Sequence, residues 1–214
     1  MNKTYTILID GGYFTKIFRS RQRRYPNAED VLNVIEQIKD TRPFPQWELL
    51  RVYYYDAPPL QNKVRNPING EEINLGASDL AKNAQRLHAS LSKAEDFALR
   101  LGELKQNGWT VKACALNKSD QSQQSITLTP QDIKPEIKQK GVDLRIGMDI
   151  ACMALRKTVN SIILLTGDSD MVPALKLARR EGLRVYCVQL DTQSITDELQ
   201  IHTDRIIRVA TSSS

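Results

Sequence analysis

A chain of 214 residues with 30 basic and 25 acidic side chains, formally +5, is long enough for one well-buried α/β domain and short for two. Its 41% hydrophobic and 26% charged residues are ordinary for a globular protein, and no apolar run reaches membrane-spanning length, so a helical membrane protein is excluded. Cys114, Cys152 and Cys187 lie far apart in apolar segments without a CxxC, which argues against a zinc site or a disulfide frame and predicts buried core thiols.

The opening MNKTYTILID leads straight into a strand and not into a secretory leader, so a cytoplasmic location is expected. Thr4 to Ile9 reads as that first strand, ending on Asp10-Gly11-Gly12. The glycines permit a tight turn, and Tyr13 to Arg19 a short helix. Asn27 to Lys39 is amphipathic, with Val31, Ile35 and Ile38 on one face and Asn27 or its neighbour as the cap. Trp47 to Tyr55 is the second strand, and Asp56 before a proline pair reads as turn chemistry.

Leu60 to Gly76 is polar and is expected to be a loop, and Ser78 to Asn107 one long helix or two. Trp109 to Leu116 reads as the third strand. Asn117 to Pro135 reads as a flexible flap, with a hairpin arm at Ser125 to Leu128.

The stretch from Lys140 to Val172 is the most informative: a helix with acids at its start, then the strand Ser161 to Leu165, apolar throughout and therefore buried on both faces. Asp168 and Asp170 follow in a G-D-S-D turn, at the carboxyl end of a strand, where open α/β sheets place ligands. Either could equally serve as an N-cap for the helix Met171 to Arg180. Arg184 to Leu190 is a fifth strand, Asp191 to Gln200 adds a helical turn, and Arg205 to Val209 is a last edge strand. One domain is expected over 1–210, with a disordered tail at 211–214.

Strands alternating with helices imply a three-layer, Rossmann-like parallel sheet flanked by helices on both faces. If the first and fourth strands are neighbours, Asp10 and Asp168 come within reach of one metal ion. Clustered aspartates suit hard divalent cations, Mg²⁺ or Mn²⁺, and a metal bridging to phosphate suits phosphodiester hydrolysis. On one continuous helix Asp143 and Asp149 are six residues apart, roughly 600° at ~100° each, so they point about 120° apart and cannot line one site equally.

The segments ILIDGGYF, KGVDLRIGMDIA and LLTGDSDMVPALKLARREGLRV, in that order, resemble the NYN domain of the LabA-like type, a branch of the PIN-like nuclease superfamily. The resemblance covers nearly the whole chain and implies a parallel sheet with a metal-binding acidic pocket, in a family that includes ribonucleases. By motif it implies that Asp10, Asp143, Asp149, Asp168 and Asp170 are the catalytic and metal-binding acids. Tyr13 departs from the pattern, since many NYN domains carry an Asn there.

A haloacid-dehalogenase-type hydrolase needs an acid at position 12, which is Gly, and a Toprim domain needs a Glu as its first acid. The expected activity is therefore a Mg²⁺- or Mn²⁺-dependent ribonuclease acting on single-stranded RNA, possible homodimerisation being left open. Arg21, Arg23, Arg24, Lys138 and Lys140 are the expected phosphate contacts. The rival expectation is a catalytically weak NYN domain that binds RNA or a protein as an adaptor.

Overall fold

The computed structural model describes residues 3–116 and 127–211. In chain order the strands are β1 (Thr4–Asp10), β2 (Glu48–Asp56), β3 (Lys63–Arg65), β4 (Glu72–Asn74), β5 (Phe97–Leu101), β6 (Glu103–Val111), β7 (Ile133–Lys140), β8 (Ser161–Leu165), β9 (Arg184–Leu190) and β10 (Arg205–Val209). The α-helices are α1 (Gly11–Gln22), α2 (Ala28–Asp40), α3 (Asp79–Leu91), α4 (Ala113–Leu116), α5 (Val142–Arg156), α6 (Val172–Arg180) and α7 (Asp197–Ile201). Six strands form one parallel sheet in the order β10-β9-β8-β1-β2-β5, so β1 and β8 are neighbours and the condition for bringing Asp10 and Asp168 to one edge is met.

The period-2 alternation of each strand divides the core in two. Ile7, Ile9, Tyr54, Ile163, Leu165 and Val188 join Phe14 and Phe18 of α1 and Val31, Ile35 and Ile38 of α2. Leu8, Tyr55, Ile162, Leu164, Val185 and Cys187 join Ile146 and Ile150 of α5 and Leu175 of α6. Every residue of β8 is buried, as its apolar run requires, and each such Leu or Ile contributes about 1.5–3 kcal/mol relative to exposure. The expected three-layer α/β architecture is the one found. Helix α2 opens with a capping box: Asn27 accepts from the Asp30 N–H (3.0 Å) and Asp30 from the Asn27 N–H (2.8 Å).

The region between β2 and α5 departs from the sequence reading. The expected helix to Asn107 ends at Leu91, and the sheet's edge strand is β5, not Trp109 to Leu116. Asp96 adopts a left-handed conformation (φ 59°), which Asp tolerates locally, and this turn lets the chain enter β5. Trp109 lies instead in β6, which forms an antiparallel ribbon with β7 outside the main sheet, while residues 113–116 are helical. Residues 60–76 carry the small β3–β4 hairpin within the expected loop.

Part of the expected hairpin arm at Ser125 to Leu128 lies outside the described residues, and Thr127 and Leu128 belong to no strand. At the other end Thr211 is not the start of a loose tail. It is buried, donating its N–H (2.9 Å) and hydroxyl (2.7 Å) to Asp191; residues 212–214 lie outside the described residues. Of the cysteines only Cys187 is a core thiol, pushed up to about 11 by burial; Cys114 and Cys152 are exposed, because each falls on an outward helix position. Among the described residues no helix is long and apolar enough to cross a membrane.

Candidate functional site

Asp10 occupies the carboxyl end of β1 and caps α1, its Oδ1 accepting the Tyr13 N–H at 3.0 Å. Its Oδ2 accepts from the Thr166 hydroxyl at 3.2 Å, and the same hydroxyl accepts the Asp168 N–H at 3.2 Å. Thr166 therefore ties the turn after β1 to the turn after β8. Asp168 in turn accepts the Asp170 N–H at 2.9 Å and caps the short 3₁₀ turn Ser169–Met171. Thr166 was not among the residues singled out from sequence. A hydroxyl between the last buried strand residue and a G-D turn is the signal that points to it.

Two glycines in these turns accommodate aromatic rings. A Cβ on Gly11 would run into the buried Tyr54 ring, and one on Gly167 into the Tyr13 ring. Tyr13, at the position where the family pattern has Asn, is thus packed on the G-D-S-D turn.

Asp143 is the second residue of α5, whose N-cap is Gly141 in a left-handed conformation (φ 75°). A carboxylate in a first helical turn is favoured by the helix dipole. Its carboxyl is nevertheless raised, by partial loss of hydration and then by the charges of Asp168 and Asp170. Asp10 is raised by burial, against the lowering effect of its Tyr13 and Thr166 hydrogen bonds, with Asp143 and Asp56 adding to the rise. Asp10, Asp143, Asp168 and Asp170 therefore share one field at the carboxyl edge of β1 and β8.

Asp149 stands apart. It is about 9 Å further along α5, turned about 120° from Asp143. Arg100 of β5 donates to it twice, Nε to Oδ2 and Nη2 to Oδ1, both at 2.8 Å, and Tyr55 donates its hydroxyl to Oδ2 at 2.9 Å. The Asp149 bond raises the Arg100 guanidinium, while burial and then Asp149 hold the Tyr55 phenol up. Arg100 falls within the expected helical stretch Ser78 to Asn107; its place on the edge strand β5 gives it Asp149 as a partner.

Asp56 ends β2 beside β1, with Oδ1 accepting the Ala57 N–H at 2.7 Å and Oδ2 facing His88 Nε2 at 2.9 Å. The basic residues expected to hold phosphate fall into two groups. Arg24 is bidentate to Asp30 at 2.6 and 2.7 Å, Arg21 donates to Thr192, and Arg23 closes α1 in a left-handed conformation (φ 57°). This group is at the far end of α1, about 16 Å along the helix axis from Asp10. Lys138 and Lys140 lie on β7, where Lys138 pairs with Glu136 at 2.9 Å and Lys140 is exposed. The intervening Gln139 reaches the Asp10 turn, its Oε1 standing beside Gly12.

The candidate ligands Asp10, Asp143, Asp168 and Asp170 offer carboxylate oxygens, which suit Mg²⁺ or Mn²⁺. Among the described residues, however, no three His, Cys, Asp or Glu side chains converge closely enough to hold a metal ion. Both oxygens of Asp10 and one of Asp168 are committed to N–H and O–H donors, whereas Asp143 stands at a helix start with its carboxylate exposed.

The model of the NYN domain matches residues 103–210, just over half of the chain, and so takes in Asp143, Asp149, Asp168 and Asp170 but not Asp10. A crystal structure of a protein of unknown function from Vibrio parahaemolyticus is similar in fold, with a TM-score of 0.52 and 15% identity over 97% of this chain and 93% of that one. No curated protein matches the sequence.

Proposed function

The chain belongs to the NYN domain family, and from that premise we propose that it is a Mg²⁺- or Mn²⁺-dependent nuclease, of the LabA-like type, that hydrolyses single-stranded RNA in the cytoplasm. The observation that carries the reading is the shared field of Asp10, Asp143, Asp168 and Asp170. Asp10 is raised first by burial and then by Asp143, and Asp143 first by partial loss of hydration and then by Asp168 and Asp170; a divalent cation would supply the counter-charge these two carboxyls lack.

Asp10 and Asp168, locked to each other through Thr166, form the fixed part of the site, and Asp143 and Asp170 the adjustable part. When bound, the metal supplies an activated water and stabilises the leaving oxygen. The chain's part is to hold the scissile phosphate against this edge. Lys140, exposed three residues before Asp143, is the cation that this reading assigns to offset phosphate charge there. Asp149 belongs to the proposal through Arg100; as a metal ligand it would first have to leave that ion pair.

The test is cleavage of end-labelled single-stranded RNA with Mg²⁺ or Mn²⁺. Wild type is expected to cut only with metal, and Asp168→Asn, near-isosteric and folded, to lose the activity; full activity in the folded variant would remove Asp168 from the site. One observation favours the adaptor reading instead: the described carboxylates do not form a chelate. Under it, RNA or protein binding survives and no substrate is cut at any metal concentration.

A further inference from the structure

Next to the Gly11-Gly12 turn lies a cavity of about 410 Å³, walled by α1, α3, the segment after β2 and the β6–β7 ribbon. Its floor is apolar, with Ala57, Ala81 and Leu87 buried, and its lining includes two large exposed apolar side chains, Leu80 and Ile137. A few polar groups interrupt the lining, among them Thr15, Ser78 and Asn83. The acid in the wall, Asp56, is already engaged by His88 and the Ala57 N–H.

We propose that this cavity receives one unstacked nucleobase of the single-stranded RNA whose phosphate lies at the carboxylate cluster, an inference that rests on the nuclease reading of that cluster. Four features select this occupant. The volume is near the lower end of the roughly 300–1,000 Å³ typical of ligand pockets, the scale of a nucleotide and not of a docked helix. The Arg19 guanidinium lies over the Tyr25 ring, 4.1 Å from its centroid, and both line the cavity; guanidinium planes and aromatic rings are the surfaces on which unpaired bases stack, and a base would extend this pair. Lys16 and Arg19 are three residues apart on α1, so they are neighbours on its surface and put two positive charges beside a site for a polyanion. Finally, Gly12 lines the cavity while a Cβ on it would sit 3.4 Å from Asp10 Oδ1, so one end of the cavity opens beside the acids.

The experiment measures binding without cleavage, in EDTA, of tetra-adenylate and of an abasic ribose-phosphate tetramer carrying the same charge. Wild type should prefer the base-containing oligomer by about tenfold, a modest return for one stacked base. Ala84→Leu, which fills the cavity from α3, and Tyr25→Ala, which removes the ring under Arg19, should each bring the preference to within about twofold while retaining wild-type thermal unfolding. Equal binding of the two oligomers by wild type overturns the proposal whether or not RNA is cut, and so does an intact preference in both folded variants. A base preference in a protein that cuts nothing keeps the pocket and removes the nuclease reading, so the two failures are distinguishable.

Discussion

Helix α5 carries two aspartates that live in opposite surroundings. Asp149 is neutralised by Arg100 and Tyr55, with every contact at 2.8–2.9 Å, whereas Asp143 faces Asp168 and Asp170 and, among the described residues, has no cation against it. The same helix thus supplies one acid already satisfied by protein and one whose charge is opposed by its neighbours. The difference teaches that an acidic motif is not a site by itself: what counts is whether the fold has already paired the charge.

The largest stability effect should come from breaking the satisfied side. Asp149→Ala leaves the Tyr55 hydroxyl and the Arg100 guanidinium without their acceptor, and the orphaned polar groups should cost about 1–3 kcal/mol. In a domain of this size each kcal/mol lowers Tm by roughly 2–4 °C. Differential scanning calorimetry measures it, and an unchanged Tm would mean that the ion pair is dispensable.

The unsatisfied side should respond with the opposite sign. Because the Asp143 carboxyl is raised in the folded state, the folded protein binds protons more readily than the unfolded chain around its ordinary value of 3.8. The resulting contribution to stability is fully present below 3.8 and is lost as pH rises through the folded-state value, so at neutral pH the ionised group is a liability. Asp143→Asn should therefore raise Tm slightly at pH 7, with the gain fading as pH falls toward 3.8, in scans across that range without added metal. A loss of Tm at pH 7 would show that Asp143 is satisfied after all.

The smallest effect concerns the basic residues, which divide along the same line. Arg24, already bidentate to Asp30, should leave the salt dependence of RNA binding unchanged when replaced by Ala. Lys140→Ala should reduce that slope by about one. A larger change from Arg24 than from Lys140 would route the phosphate backbone along the far end of α1.

Legibility in the sequence followed the same logic of local against distant partners. Strand β8 was readable to the residue because burial on both faces demands a short apolar run; β9 and β10 matched their expected bounds as well, β9 following the stop at Gly182. That acids end both β1 and β8 was readable in the sequence, but their adjacency was only one of the arrangements open to a parallel sheet and is decided by the strand order. Strand β5 was not readable, since FALRL continues the leucine spacing of α3 and only a short turn at 92–96, ending on the left-handed Asp96, separates them. Nor were the partners of Asp149: Tyr55 and Arg100 lie 94 and 49 residues away, and no local period encodes such contacts. The partner of Thr166 is likewise distant, its bond to Asp10 spanning 156 residues, although a hydroxyl just before the G-D turn is a local sign of it.

The central claim, that the unsatisfied carboxylates are the cation site, is tested most directly by Mn²⁺ binding, followed as loss of the free-ion signal in electron paramagnetic resonance. Wild type and Asp149→Asn should bind Mn²⁺ alike, and the double variant Asp143→Asn/Asp168→Asn should not bind it. Undiminished binding in the double variant, or binding lost only with Asp149, would contradict the account.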